Sequence, residues 1–243
     1  MEMSHKPLVA ITGASSGIGA ATAQAFSARG HPVLLMARRL GRMQGLNLPN
    51  SICAKVDVRQ RAQILDAVAK AEVEFGPVDM IFANAGIARL ADIGRQSPSE
   101  WDEMIDINTK GVMNTIHSVL AGMIKRKRGT LVVMSSIAGR KLYPDHTVYC
   151  GTKFFVHAIC EGLREYLADF GVRVVVVSPG IIETEILLGV CDQKTLTQYR
   201  ENKAKIGGGL DAKVVGQLIM DVYSQPQNVL IQEICLTPTR QKN

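Results

Sequence analysis

The 243-residue sequence predicts an α/β fold, a single domain built on one parallel, doubly wound sheet with helices on both faces. Short apolar runs alternate with longer segments of helical periodicity along the whole chain, the pattern of right-handed βαβ units. Several runs are apolar without alternation, as in "VRVVVVS" at 172–178, which suits strands covered on both sides. No repeat, linker or low-complexity segment divides the chain.

Taken in order, the expected strands are Leu8–Thr12, Val33–Ala37, Ile52–Val58, Met80–Ala83, Thr130–Ser135, Arg173–Ser178 and Val229–Leu236. Helical spacing marks Gln60–Glu74 and Pro98–Lys125. It also marks a segment through "FFVHAICEGLREYLADF", with apolar positions at 155, 159, 163, 166 and 170 and Gly171 as its stop. In such sheets ligands bind beyond the carboxyl ends of the strands, so the residues after each strand carry the functional reading.

Composition narrows that reading. With 28 basic and 22 acidic residues the chain carries a formal charge of +6. The basic run Lys125–Arg128 ends a helical pattern, where cations suit the helix dipole. No aromatics or nucleic-acid-binding module accompany it, so no nucleic-acid partner is expected. The five cysteines, at 53, 150, 160, 191 and 235, show neither CxxC nor metal-ligand spacing; core thiols in a reducing compartment, and no metal, are expected. The first apolar run, "PLVAIT", is too short for a signal peptide or membrane span, so the expectation is a cytoplasmic protein without membrane attachment.

After the first strand, "TGASSGIG" places Gly13, Gly17 and Gly19 in a turn that runs into a helix N-terminus. Backbone N–H groups and the helix dipole then face an anion, although the spacing is GxxxGxG rather than GxGxxG. The second strand ends in "LLMARRLGR". Where NAD-binding folds carry an acidic residue for the ribose hydroxyls, this chain has Ala37 followed by Arg38 and Arg39. Guanidinium groups grip a 2′-phosphate that a carboxylate would repel, which predicts NADP rather than NAD. Asp57, in "KVDVR", is placed to accept from an adenine amino group, to cap the following helix, or both. Tyr149 and Lys153, in "HTVYCGTKFF", lie one helical turn apart on the same face.

Four elements, "TGASSGIG", "NAG" at 84–86, "MSSIAG" at 134–139 and "YCGTK" at 149–153, each follow the appropriate strand. Over essentially its whole length the chain resembles the classical short-chain dehydrogenases/reductases. The resemblance implies a Rossmann-type domain with a seven-stranded sheet, a homo-oligomer (tetramer or dimer), and hydride transfer between NADP and a small-molecule carbonyl or alcohol. It assigns catalytic roles to Asn108, Ser136, Tyr149 and Lys153, Ser135 being the lesser candidate for the serine. Ser136 and Tyr149 would meet the substrate. Cofactor contacts would come from Gly13, Ser15, Ser16, Gly17, Ile18, Gly19, Arg38, Arg39, Asp57, Val58, Asn84, Ala85, Gly86, Tyr149 and Lys153. Pro179, Gly180, Ile182 and Thr184 in "PGIIET" would complete them. Two departures are mild: Ala83 stands for the first asparagine of NNAG, and Gly151 for the usual small residue before Thr152.

In that chemistry the phenol of Tyr149 moves a proton. A unit positive charge about 4 Å away, at an effective dielectric of about 20, is worth roughly 4 kcal/mol. That is about three pH units, enough to bring Tyr149 to roughly 7 before desolvation acts. Residues 181–210 match the family's variable substrate lid, with Leu142, Tyr143 and His146 as further pocket candidates. The tail "NVLIQEICLTPTRQ" is similar to NADP-dependent dehydrogenases of small 3-hydroxy acids such as serine. Arg89, Arg95, Arg140 and Lys141 are candidates for a substrate carboxylate. A 3-oxoacyl or bulky-ketone reductase is the alternative within the class, and a catalytically silent dinucleotide-binding regulator the alternative outside it.

Overall fold

The computed structural model describes residues 6–242. Five-residue β1 (Leu8–Thr12) is buried throughout and leads through the glycine turn into α1 (Gly17–Ala28). Then follow β2 (Val33–Ala37), a short α2 (Leu40–Gln44), β3 (Ser51–Lys55), α3 (Arg61–Phe75) and β4 (Val78–Ala83). The second half contains α4 (Pro98–Ile105), α5 (Gly111–Arg126), β5 (Gly129–Met134), α6 (Thr147–Leu167) and β6 (Val172–Pro179). It closes with β7 (Ile182–Glu183), α7 (Gln193–Lys205), β8 (Leu210–Asp211), α8 (Ala212–Tyr223) and β9 (Glu233–Leu236).

Seven strands form one sheet in the order β3-β2-β1-β4-β5-β6-β9, every pairing parallel. The chain runs outward from β1 to β3, then returns to the other side of β1 for β4. This switch point opens a crevice where the turns after β1 and β4 part. One sheet face packs against α1 and α8, the other against α3, α5 and α6. Gly216 lets α8 lie on α1, since a Cβ there would stand 2.9 Å from backbone atoms of Ala21 and Thr22.

Two strands are shorter than the sequence suggests. β3 stops at Lys55, not Val58, because its partner β2 ends at Ala37 and turns into α2. β9 begins at Glu233, not Val229; Val229 instead closes a turn on the carbonyl of Pro226, and both it and Leu230 are exposed. The segment 98–125 is helical throughout, but a π-helical stretch at Asp106–Lys110 joins α4 to α5. The fully buried stripe of α6 runs through Val156, Cys160 and Leu167, beside the apolar series at 155–170, in which Tyr166 is exposed.

The cysteine expectation holds for Cys150 and Cys160, which are buried, while Cys53 is half-buried and Cys191 and Cys235 are exposed. The basic run is partly structural: Arg126 donates to the Val78 carbonyl and Arg128 pairs with Asp79 at 2.8 Å. Among the described residues no helix is long and apolar enough to cross a membrane.

Candidate active site

The glycine turn is shaped by its contact with the end of β4. Gly13 and Gly17 adopt φ of +67° and +55°, a left-handed region costly for residues with a Cβ. A Cβ on Gly13 would stand 2.8 Å from Asn84 Nδ2 and 2.9 Å from the Ala85 Cα; one on Gly19 would stand 2.5 Å from the Gly13 carbonyl. Asn84 Nδ2 donates to the Thr12 carbonyl at 2.9 Å, while the N–H groups of Asn84 and Ala85 donate to Thr12 Oγ1. These bonds clamp the two turns together at the switch point. Ser16 precedes α1 without a side-chain cap, so the first-turn N–H groups are left for an anion in the cavity. This cradle fits the diphosphate of a dinucleotide.

At the end of β2, Arg38 and Arg39 line the same cavity. Arg39 donates to the hydroxyls of Ser15 and Ser16 and forms an ion pair of 2.8 Å with Glu185. Arg42 reaches the other oxygen of Glu185 at 2.6 Å. The two guanidinium groups, Arg42 foremost, push the Glu185 carboxyl down to about 2.

Asp57 is gripped by its neighbour, accepting from the Arg59 backbone N–H at 3.0 Å and pairing with its guanidinium at 2.5 Å. That side-chain hydrogen bond holds the carboxyl below its ordinary range. Gln60, not Asp57, occupies the N-cap of α3, so the capping alternative fails. Asp57, Val58, Ser15, Gly19 and Asn108 do not line the cavity; the other expected catalytic and cofactor-contact residues do.

The catalytic candidates converge from three elements: the π-helical stretch, the turn after β5, and α6. Lys153 is 3% exposed and donates from Nζ to the Met134 carbonyl at 3.0 Å, with Nζ 5.7 Å from the Tyr149 ring centre. Asn108 is fully buried in the π-helical stretch. Its Oδ1 accepts from the Ile87 N–H, and its Nδ2 donates to the Ile87 carbonyl and to Thr152 Oγ1. Thr152 in turn donates to the Tyr149 carbonyl at 2.7 Å, so Asn108 braces the turn that carries the tyrosine. Ser135 is buried and donates to the Lys153 carbonyl at 3.2 Å, while the less buried Ser136 donates to the Pro179 carbonyl at 3.3 Å and accepts from the Ala138 N–H at 3.1 Å; both line the cavity.

Electrostatics depart from the sequence reading. Burial pushes the Tyr149 phenol above its ordinary range, with the nearby Ser136 hydroxyl pulling the other way. Burial also lowers Lys153 to about 8. In the free chain, desolvation therefore outweighs the expected attraction between ammonium and phenolate, because Nζ is turned to a carbonyl.

A cavity of about 1170 Å³ unites Ser136, Tyr149 and Lys153 with residues of the 181–210 segment. Beside Tyr149 an apolar wall combines Ala88, Leu90, Ile186, Leu187, Val190 and Tyr199. Tyr143 and His146 line the cavity, with His146 Nδ1 held by Asp145 at 2.6 Å; Leu142, 69% exposed, does not. Arg89 and Arg95 reach the cavity while paired with Glu103 at 2.9 Å and Asp192 at 3.4 Å; Arg140 is paired with Glu233, and it and Lys141 lie outside the cavity. Sequence reasoning missed Glu185, Arg42 and Gln241, whose Oε1 accepts from the Ile181 N–H at 3.0 Å. Among the described residues no cluster of three or more His, Cys, Asp or Glu is arranged to hold a metal ion.

Residues 7–194 match the family model of the short chain dehydrogenases. An uncharacterized oxidoreductase of Listeria monocytogenes is 35% identical over 99% of both chains. A glycine betaine reductase of Emericella nidulans is 38% identical over 94% of this chain, which spans only 18% of that longer protein. Among solved structures, the closed form of a serine dehydrogenase complexed with NADP+ superposes with a TM-score of 0.89 at 31% identity, covering 97% of this chain and 96% of the other. The serine dehydrogenase of Escherichia coli gives 0.83 at 29% identity, covering 97% and 100%. With glycine turn, serine, tyrosine and lysine gathered on one cavity, the chain belongs to the short-chain dehydrogenases.

Proposed function

We propose that the chain is an NADP(H)-dependent oxidoreductase that interconverts a secondary alcohol and its carbonyl compound, with a small 3-hydroxy acid as the substrate class. The observation that carries this reading is the meeting of Ser136, Tyr149 and Lys153 with the glycine cradle on one cavity. Arg38 and Arg39 at the adenosine end support NADP, as do the NADP-bound relatives. The cofactor supplies the hydride when bound.

The chain's residues handle the proton and the geometry. In the reduction direction the phenol of Tyr149, kept neutral by burial, donates its proton to the substrate oxygen. Ser136 hydrogen-bonds that oxygen and stabilises the charge developing on it. In the oxidation direction Tyr149 takes the proton back, and the ammonium of Lys153 favours the phenolate. Arg89 and Arg95 line the substrate side, where a substrate carboxylate would compete with Glu103 and Asp192 for their guanidinium groups. The 31% identical serine dehydrogenase supports the same class.

Nicotinamide absorbance with a panel of 3-hydroxy acids, secondary alcohols and their ketones tests this. NADP-dependent oxidation of a 3-hydroxy acid in preference to its uncharged analogue is expected. Turnover of neutral alcohols alone would overturn the substrate class, and no turnover of any member would overturn the activity.

A further inference from the structure

The ion pairs of Glu185 have no local origin. The pairs Lys70–Asp66 and Lys110–Asp106 join residues four apart on one helix, as surface pairs commonly do. Glu185 instead links the start of the lid to Arg39 and Arg42, across 146 and 143 residues. One carboxylate oxygen takes each guanidinium, while Arg39 spends its remaining donors on Ser15 and Ser16 of the glycine turn. Two segments expected near the adenosine half of a dinucleotide, the glycine turn and the end of β2, thus close with the start of the lid around one anionic group, and that group belongs to the protein.

We propose that Glu185 occupies, in the free protein, the place of the cofactor's 2′-phosphate, and that its displacement sets how strongly the chain prefers NADP(H) over NAD(H). The inference rests on the reading that these arginines receive the 2′-phosphate. A phosphate monoester carries close to two negative charges at neutral pH and three acceptor oxygens, against one charge and two oxygens for a carboxylate. It therefore uses the Arg39, Ser15 and Ser16 donors more fully. Both ion pairs are open to solvent, with side-chain exposures from 37% to 51%, so exchange of one anion for another is not blocked by burial. NADH offers no anion at this place and leaves Glu185 where it is. Glu185 consequently taxes NADP(H) binding alone.

The test measures NADPH and NADH affinity of the cofactor-free protein by calorimetry, in wild type and Glu185→Gln. Surface ion pairs of this kind predict an NADPH gain of about 3- to 10-fold, with NADH nearly unchanged. Adenosine 2′,5′-bisphosphate, which lacks the nicotinamide half and cannot depend on lid closure over it, should gain likewise. Glu185→Asp, one methylene shorter, should fall between. An unchanged NADPH-to-NADH ratio, or equal weakening of both nucleotides, would overturn the inference and leave Glu185 a lid anchor. Arg39→Ala separates the layers: lost NADPH preference upholds the phosphate reading whatever Glu185→Gln does, and retained preference overturns the Glu185 inference while leaving Arg38 as the phosphate's partner.

Discussion

Lys153 Nζ donates to the carbonyl of Met134 at 3.0 Å while standing 5.7 Å from the centre of the Tyr149 ring. The ammonium is therefore held in the core by one backbone oxygen, and burial lowers it to about 8 from 10.5. A depressed lysine means the native state binds its proton less tightly than the unfolded chain. The cost is fully present below pH 8 and disappears as pH rises through 10.5. At neutral pH it amounts to roughly 3 kcal/mol at most.

Lys153→Met, which keeps the length and removes the charge, should therefore be more stable than wild type at pH 7 and catalytically dead. The gain, about 1–3 kcal/mol by urea unfolding, should vanish near pH 10. A variant less stable than wild type at both pH values would contradict the burial cost.

Tyr149→Phe should lower kcat by about 10²- to 10⁴-fold while leaving NADPH binding largely intact. In the wild type, oxidation should quicken with pH and show no plateau by about pH 9, because burial holds the phenol above its ordinary range. Retained turnover in the phenylalanine variant would remove Tyr149 from the proton step. A flat profile with chemistry rate-limiting would do the same.

The sheet and the catalytic group were legible because each motif is local. A glycine turn, a strand-end serine and a YxxxK pair each fit within one strand-to-helix passage. Relationships across the chain were not. A local relationship was missed as well: Arg59, two residues on, folds back over Asp57. Glu185 is silent in sequence because its partners lie more than 140 residues away. The phenol's pKa was misjudged for a related reason: spacing places charges on a helix face but does not report how much water burial removes. β9 was overextended because an apolar run at an edge reads like a strand whether or not a partner continues beside it.

Asn108→Ala should cost about 2–4 kcal/mol, since it leaves the buried N–H and carbonyl of Ile87 without their partner. Its loss also frees Thr152 beneath Tyr149, so kcat should fall with little change in NADPH affinity. Chemical unfolding and steady-state kinetics on one preparation check both parts.

Arg38→Asp replaces a cation on the cavity wall with an anion that repels a 2′-phosphate. The NADPH-to-NADH affinity ratio should drop about 10- to 100-fold, the worth of one charged hydrogen bond. An unchanged ratio would assign the phosphate to Arg39 alone.

Gly13→Ala distinguishes the two reasons for glycine at the phosphate turn. Its φ of +67° alone costs an alanine about 1–2 kcal/mol. The new Cβ would also press on Ala85 Cα at 2.9 Å and on Asn84 Nδ2 at 2.8 Å, forcing the β1 and β4 turns apart for a further 1–3 kcal/mol or so. Gly30 provides the control, with φ of +80° and no heavy atom within 4 Å of its Cβ position. Gly30→Ala should therefore show only the backbone cost and normal NADPH binding. Gly13→Ala should be the less stable of the two and bind NADPH weakly, because separating the turns moves the N–H groups that face the diphosphate. Equal unfolding free energies for the two variants would show that the turns yield without strain and that the left-handed backbone is the whole reason for Gly13.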